Sequence, residues 1–312
     1  MKQLKIGNIL LKNPLILAPM LDITNLPYRL ICRKAGASLA FTEMIYTSAI
    51  SHENKKTLNM MKTSKKDSPL GIQITANNPD EIKQILPNLN SDNFDLIDIN
   101  CGCPSDRIIG NQAGAYLLNN PEKITKMIKI LKTSNLPITV KIRLGFKKNN
   151  VIKIAKIIEK AGAEAITVHA RLATQGYDIP ADYTQLKKTK SAIGIPLIGN
   201  GDIFSEEKAQ EILDICDGAM IARGAIGDPL IFNRILYYLK TGKKKEFNFK
   251  KNIKSFQDYL NLSEKYNIAN LSQIKYIGSK LIRNIPKASN FRDKLMHLSS
   301  IDEIKNFVKT IN

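Results

Sequence analysis

The sequence contains few of the residues that form disulfides or bind metals: four cysteines and three histidines among 312 residues. The cysteines, at positions 32, 101, 103 and 216, do not resemble a disulfide framework, and a chain of this length can bury a substantial core without one. No run of 18 apolar residues occurs, which excludes a transmembrane helix. Lys5, Gly7 and Lys12 interrupt the N-terminal segment, which does not fit a secretory signal, so we expect a cytoplasmic protein.

Acidic residues are scarce relative to basic ones, with 28 Asp and Glu against 47 Lys and Arg and a net charge of +19. Only nine of the basic residues are arginines, and the abundance of Lys, Ile and Asn is typical of an AT-rich genome, so part of the excess is compositional. Residues 243–312, however, carry 15 Lys and Arg against 6 Asp and Glu. This clustering of nearly half the excess charge favours a nucleic-acid partner.

Eight short apolar segments alternate with helical patterns before residue 242. They are rich in Ile, Leu and Val and lack polar alternation, which is typical of parallel strands covered on both faces. The segments span residues 14–19, 37–43, 69–75, 94–100, 137–143, 164–170, 195–200 and 217–222. This rhythm predicts a (β/α)8 TIM barrel in residues 1–242, and an open doubly wound sheet is the main alternative.

The β-α rhythm stops after residue 242, and the following segments show only apolar residues three and four apart. Such spacing predicts helices. We therefore predict a small, basic, all-helical domain in residues 243–312, joined to the barrel through a linker at 241–245.

Polar side chains follow most of the predicted strands, at the end where the loops of a TIM barrel converge on one mouth. Each has an ordinary structural explanation when taken alone; His169, for example, fits a satisfied core histidine. Their joint occurrence at equivalent positions favours a functional site. Gly201 and Gly224, after the seventh and eighth strands, lie where this fold usually binds phosphate.

Cys101 and Cys103 flank a glycine directly after the fourth strand. They have no second close cysteine pair, so we expect no metal site, and a disulfide across one residue would be strained. We expect Cys101 to pack in the core. Cys103, which precedes Pro104 and a long loop, is expected at the mouth, where a thiol can donate a proton as well as attack.

Taken together, these motifs resemble those of the tRNA-dihydrouridine synthases, flavoenzymes that reduce D-loop uridines of tRNA, and most closely the bacterial B-type branch. The resemblance covers nearly the whole chain. Its most specific mark is IDINCGCPSDRIIGNQAGAYLL at 97–118, supported by APM at 18–20, TVHAR at 167–171 and IGNGDI at 198–203. This chain departs from the family where Asp22 replaces a frequent Gly and Asn25 a frequent Asp.

The resemblance implies FMN at the barrel mouth, NADPH as hydride donor and tRNA as partner. Asn100 and Arg171 would contact the substrate, and Cys103 would act as general acid. In the implied reaction hydride passes from flavin N5 to C6 of a uracil that has left its stack, and Cys103 protonates C5 from the opposite face. The residues implied to bind the cofactor are Pro19, Met20, Leu21, Gln73, Lys141, His169, Asn200, Gly201, Asp202, Ala222, Arg223 and Gly224.

Three other functions stay open at this point. One is an FMN barrel of the dihydroorotate dehydrogenase type, which would not need a separate basic domain. The others are a lyase with Lys141 as Schiff-base amine and a tRNA-binding protein without catalysis, both of which a flavin spectrum would exclude. The sequence indicates no obligate protein partner, and it leaves open which uridine is reduced and the oligomeric state.

Overall fold

A two-stranded hairpin precedes eight parallel strands that form a barrel. The structure is a computed structural model that describes residues 3–52, 54–89, 93–283 and 285–311. The hairpin strands are β1 (Lys5–Ile6) and β2 (Ile9–Leu10). The barrel strands, with one short extra strand at 45–46, are β3 (Leu15–Leu17), β4 (Ala40–Phe41), β5 (Ile45–Tyr46), β6 (Leu70–Thr75), β7 (Leu96–Cys101), β8 (Ile138–Arg143), β9 (Ala165–His169), β10 (Leu197–Asn200) and β11 (Gly218–Ile221).

The sheet closes on itself. Its strands pair in the order β3-β11-β10-β9-β8-β7-β6-β4, and β5 pairs with β6 beyond the end of β4. A parallel bridge between Ile16 and Leu39 joins the first strand to the last, with the N–H of Leu17 donating to the carbonyl of Leu39 at 2.9 Å. The predicted TIM barrel is confirmed, and the open doubly wound sheet is excluded.

Helices follow the barrel strands, and capping residues fix where several of them begin or end. Ser205 caps its helix through the N–H of Lys208, and Gly162 ends another in the left-handed conformation, at φ +101°. The helices of this part are α1 (Leu26–Lys34), α2 (Thr47–Ser51), α3 (Lys55–Met61), α4 (Pro79–Leu89), α5 (Asp106–Gly110), α6 (Pro121–Leu131), α7 (Val151–Ala161), α8 (Tyr183–Lys190), α9 (Glu206–Leu213) and α10 (Ile231–Thr241).

Alternate residues of β3 belong to different apolar clusters, as expected of a parallel strand covered on both faces. In β8, by contrast, buried aliphatic residues alternate with Thr139, Lys141 and Arg143, so the predicted lack of polar alternation does not hold for this strand. Leu15 and Leu17 pack in the large cluster that includes the surrounding helices, whereas Ile16 packs in a smaller cluster inside the barrel. Leu4 and Ile6 of the hairpin belong to this inner cluster. The hairpin therefore covers the amino end of the barrel and leaves the carboxyl end as the open mouth.

The C-terminal part is helical, as predicted. It contains α11 (Phe249–Tyr266), α12 (Leu271–Leu281), α13 (Ala288–His297) and α14 (Ile301–Lys309). The sequence did not single out α13, because its one fully buried residue, Leu295, produces little apolar periodicity. The chain between Thr241 and Phe249 holds no helix or strand, and the domain boundary at 242/243 stays a prediction.

Buried polar contacts fix the helical domain to the barrel. The Nδ2 of Asn252, which is fully buried, donates to the carbonyl of Gly227 in the barrel at 2.8 Å and to that of Leu281 at 2.6 Å. Asn25 of the barrel donates to the hydroxyl of Tyr259 at 3.0 Å. The two parts therefore share one continuous interface. None of the helices in the described ranges has the length and apolar character needed to cross a bilayer.

Replacing Asn252 with Ala should lower the free energy of unfolding by about 2 kcal/mol, because two buried carbonyls lose their donor. Urea denaturation measures the effect. The matched control is Asn261→Ala on the exposed face of the same helix, which should change stability by less than about 0.5 kcal/mol. Equal effects of the two changes would show that the interface does not depend on Asn252.

Candidate active site

A cavity of about 350 Å³ opens at the carboxyl ends of the barrel strands. All the residues predicted for the site except Arg171 line it. They are Pro19, Met20, Leu21, Gln73, Asn100, Cys103, Lys141, His169, Asn200, Gly201, Asp202, Ala222, Arg223 and Gly224. The barrel register accounts for this convergence, since Asn100 pairs with Lys141 across β7 and β8, and His169 with Asn200 across β9 and β10.

A chain of hydrogen bonds under the cavity begins at Asp98, which is 1% exposed. Its carboxylate accepts from Thr139 Oγ1 at 2.6 Å and from Gln73 Nε2 at 2.7 Å. Gln73 Oε1 accepts from Asn100 Nδ2 at 2.9 Å, and Asn100 Oδ1 accepts the N–H of Cys103 at 3.0 Å. Burial raises the pKa of Asp98 to about 6, so the carboxylate is ionised at neutral pH. The two amides therefore have one orientation each, set by an acceptor-only group.

Cys103 lies at the cavity wall and is partly exposed, with Sγ 3.8 Å from the hydroxyl of Ser105. Its backbone is held on both sides, because its carbonyl also accepts the N–H of Ala115 at 3.0 Å. Gly114 makes this close approach possible: it adopts φ +59°, and a Cβ there would lie 2.7 Å from the Cys103 carbonyl oxygen. Cys101 is fully buried, as predicted, and burial raises its pKa well above the usual value.

Positive charge dominates one side of the cavity. Lys141 Nζ lies 3.3 Å from Asn200 Oδ1, and burial, followed by the nearby Arg143, lowers the pKa of Lys141 to about 8. His169 is 7% exposed, and burial together with Lys141 and the neighbouring arginines lowers its pKa far below the usual value. His169 is therefore neutral, and its Nε2 accepts from Arg171 at 3.2 Å.

Asp202 joins two arginines at the end of β10. It accepts from Arg171 Nη2 at 2.6 Å and from Arg223 Nη2 at 2.9 Å, and it also accepts the N–H of Ala181 at 2.9 Å. Arg171 is 1% exposed and lies behind the cavity wall, beside Asp202 and His169, and its contact with substrate stays a prediction. Gly224 allows the loops after β10 and β11 to contact each other, because a Cβ at this position would lie 2.0 Å from the carbonyl oxygen of Ile203.

Several lining residues were not among the predicted site residues. Arg143 is 4% exposed and donates to the carbonyl of Gly102 at 2.8 Å, which ties β8 to the Cys103 loop. Its position at the end of a predicted strand could have marked it as a site residue. Tyr177 lies under the guanidinium of Arg223, with 3.7 Å between the ring centroid and Cζ. Tyr276 reaches the cavity from α12, and nothing in the sequence pattern of that helix marks it.

Solved structures with a similar fold include a 2-naphthoyl-CoA reductase and an old yellow enzyme homologue. 2-Naphthoyl-CoA reductase superposes with a TM-score of 0.61 and 13% identity over 76% of this chain and 52% of that chain. This chain thus spans about half the length of that enzyme. The old yellow enzyme homologue from Zymomonas mobilis superposes with a TM-score of 0.54 and 12% identity, covering 80% of this chain and 94% of that one. At these identities the likeness shows the fold alone.

Comparisons of sequence show which family the chain belongs to. The dihydrouridine synthase family model matches residues 16–312. The tRNA-dihydrouridine synthase B of Pasteurella multocida is 36% identical over 73% of this chain and 70% of its own, and a probable tRNA-dihydrouridine synthase of Aquifex aeolicus is 29% identical over 96% and 95%. The chain therefore belongs to the dihydrouridine synthase family, which confirms the predicted family and B-type branch and makes it a flavin-dependent oxidoreductase. The lyase and the non-catalytic binding protein are excluded.

Replacing Asp98 with Asn should lower the free energy of unfolding by about 2 kcal/mol. The amide oxygen of the new Asn can accept from only one of Gln73 and Thr139, and Gln73 loses the ionised acceptor that fixes its orientation and that of Asn100, which weakens the support of the Cys103 N–H. Adding Gln73→Glu should restore most of the loss, since a carboxylate at 73 accepts from both neighbours. Chemical denaturation compares the variants, with the exposed Asp106→Asn as control. A double variant no more stable than Asp98→Asn alone would contradict the relay.

Proposed function

We propose that this protein reduces the C5–C6 double bond of uridine in the D-loop of tRNA, with FMN as cofactor, NADPH as electron donor and Cys103 as general acid. One observation carries the proposal: Cys103, Lys141, His169 and Asn200 line a single cavity in a chain of the dihydrouridine synthase family. The proposal places the reaction in the cytoplasm, where tRNA is modified.

The charges of the cavity fit FMN. The described residues that line the cavity include three cationic side chains, those of Lys141, Arg143 and Arg223, and one carboxylate, that of Asp202. Asp202 already forms salt bridges with two arginines. Arg223 and the loops at Gly201 and Gly224 would hold the phosphate, and Lys141 and His169 the ring system and ribityl chain. Pro19, Met20 and Leu21 supply an apolar side for the isoalloxazine. An anionic ligand would offset the positive charge that the protein leaves unpaired here.

The chemistry that FMN supplies when bound is hydride transfer to the uracil ring, with NADPH as the source of the electrons. The protein provides the proton. Cys103 holds it at Sγ and delivers it to C5, and the thiolate formed is reprotonated from solvent, to which Cys103 is partly exposed. Asn100 fixes the Cys103 backbone from below and would also contact the uracil.

The helical domain would bind the tRNA backbone. Residues 243–312 carry 15 Lys and Arg against 6 Asp and Glu, and α12 supplies Tyr276 to the cavity wall. RNA phosphates bound along this domain would lie beside the mouth, which a uridine enters after leaving its stack. The same domain thereby accounts for the basic charge that a barrel reducing a small molecule would not need.

Replacing Cys103 with Ala should leave FMN binding and NADPH oxidation intact and lower dihydrouridine formation by about 10² to 10⁴. The loss follows because Ala cannot supply the proton for C5. Dihydrouridine is measured in a tRNA transcript, and flavin reduction by the bleaching of its absorbance. Cys101→Ala, which removes the buried thiol two residues away, is the control and should stay active. Normal turnover on tRNA by the Cys103 variant would refute the acid role.

The affinity for FMN should fall as the pH rises from about 7 to about 9, by up to about tenfold, because Lys141 loses its positive charge through a pKa of about 8. Lys141 is positively charged below a pH of about 8, and an anion binds best to this charged form. Lys141→Met should bind FMN more weakly at pH 7 and show a flatter pH profile. Flavin fluorescence titration measures both, with the exposed Lys126→Met as control. Parallel profiles for Lys141→Met and wild type would contradict the assignment.

A further inference from the structure

A second cavity, of about 740 Å³, adjoins the first one where the barrel meets the helical domain. Leu21 and Tyr276 line both cavities, so the two share a wall. One side of the second cavity comes from the loop after β3 and from α3, and the other from the start of α12. Its volume lies within the range of cavities that bind a nucleotide or a molecule of similar size.

The chemistry of this second cavity differs from that of the first. Among its described lining residues the charged groups are the carboxylates of Asp22 and Glu43 and the ammonium of Lys56. The amides of Asn25, Asn59 and Gln273 also line it. A phosphate would meet more negative than positive charge here. The amides and carboxylates instead match the donor and acceptor edge of a nucleobase.

The apolar part of the lining fits the flat faces of a base. Leu21, Met60 and Ile268 contribute aliphatic surface, and Tyr276 contributes an aromatic ring whose side chain is partly open to solvent. Bases of single-stranded RNA bind proteins by stacking on such rings, with their edges paired to polar groups. The lining therefore combines both kinds of contact that hold an unstacked base.

Glu43 is a buried carboxylate in the wall of the second cavity. It is 4% exposed, and its Oε2 accepts the N–H of Asp22 at 2.6 Å. Asp22 presents that N–H from a left-handed conformation, at φ +60°. No other donor from the described residues contacts this carboxylate, and its burial raises the pKa of Glu43. A buried acceptor with one free oxygen is stabilised by a ligand that brings adjacent donors.

We propose that the second cavity binds the base of another nucleotide of the RNA, close to the reduced uridine, and that Glu43 selects guanine there. Guanine offers two adjacent donors on its pairing edge, N1–H and the N2 amino group, whereas adenine offers one and uracil one. The inference rests on the proposed function, since it requires an RNA whose target uridine occupies the first cavity. The shared wall of Leu21 and Tyr276 would then separate two bases of one strand.

The test is a double-mutant cycle between protein and RNA. In tRNA transcripts, each guanosine within a few nucleotides of the reduced uridine is replaced singly by inosine, which lacks the N2 amino group. With wild-type protein, one such replacement should lower kcat/KM for dihydrouridine formation by about tenfold. With Glu43→Gln, activity on unmodified tRNA should fall by a similar factor, and the same inosine replacement should then have less than about a twofold further effect.

Two further variants control the cycle. Glu122→Gln, an exposed carboxylate on α6, should keep the full effect of the inosine replacement. Ser272→Phe, at an exposed position in the first turn of α12, should fill the second cavity, lower activity on unmodified tRNA and abolish the inosine effect without changing the flavin content. This variant decides the question if Glu43→Gln does not fold.

The outcomes separate the two proposals. Wild-type protein that binds flavin but forms no dihydrouridine in any transcript would overturn the proposed function and, with it, the second base site. Wild-type protein that is active and indifferent to every inosine replacement would overturn the guanine site alone. Additive effects of inosine and Glu43→Gln would also overturn it, because they would show that the two groups do not meet.

Discussion

Unpaired positive charge at the barrel mouth is the constraint on which the rest of the site depends. In the part of the chain that the structure describes, three cationic side chains line the cavity against one carboxylate, Asp202. Charges taken out of water are costly without a partner, and the lowered pKa of Lys141, about 8, reflects that cost. A bound anion removes the cost, so ligand binding and the stability of the barrel mouth are linked. Binding of an anion would therefore stabilise the barrel mouth, whichever reaction follows.

Below the cavity, hydrogen bonds between buried polar residues hold the loop that carries Cys103. The residue proposed as acid lies on a loop, and loops alone position side chains poorly. Here Asn100 and Ala115 hold the backbone of Cys103, and Arg143 holds the carbonyl of the preceding glycine. Because Asp98 sets the orientation of the amides that lead to Cys103, an ionised group in the barrel wall determines where the thiol lies.

Much of the site could be predicted from the sequence because parallel strands convert a position in the chain into a position in space. A residue at the end of any barrel strand reaches the same mouth, which is why Gln73, Lys141 and Asn200 meet without any local signal linking them. Asp98 was not predicted, since it lies within an apolar strand and acts through a neighbouring strand. Tyr276 was not predicted either. Its contact with the cavity depends on how the helical domain packs on the barrel, and the position of a residue in the chain does not reveal that packing.

The docking of that domain has a physical reason beyond charge. A domain that contributed only lysines could be tethered loosely, because attraction to phosphates acts over about a Debye length. A domain that supplies a wall residue cannot, since Tyr276 separates two cavities of opposite character. The buried contacts of Asn252 and Tyr259 with the barrel hold α11 in place, and α12 packs closely on it where Gly278 faces the ring of Phe256. The interface therefore determines the shape of both cavities, and its rigidity is a condition for the base selection proposed for them.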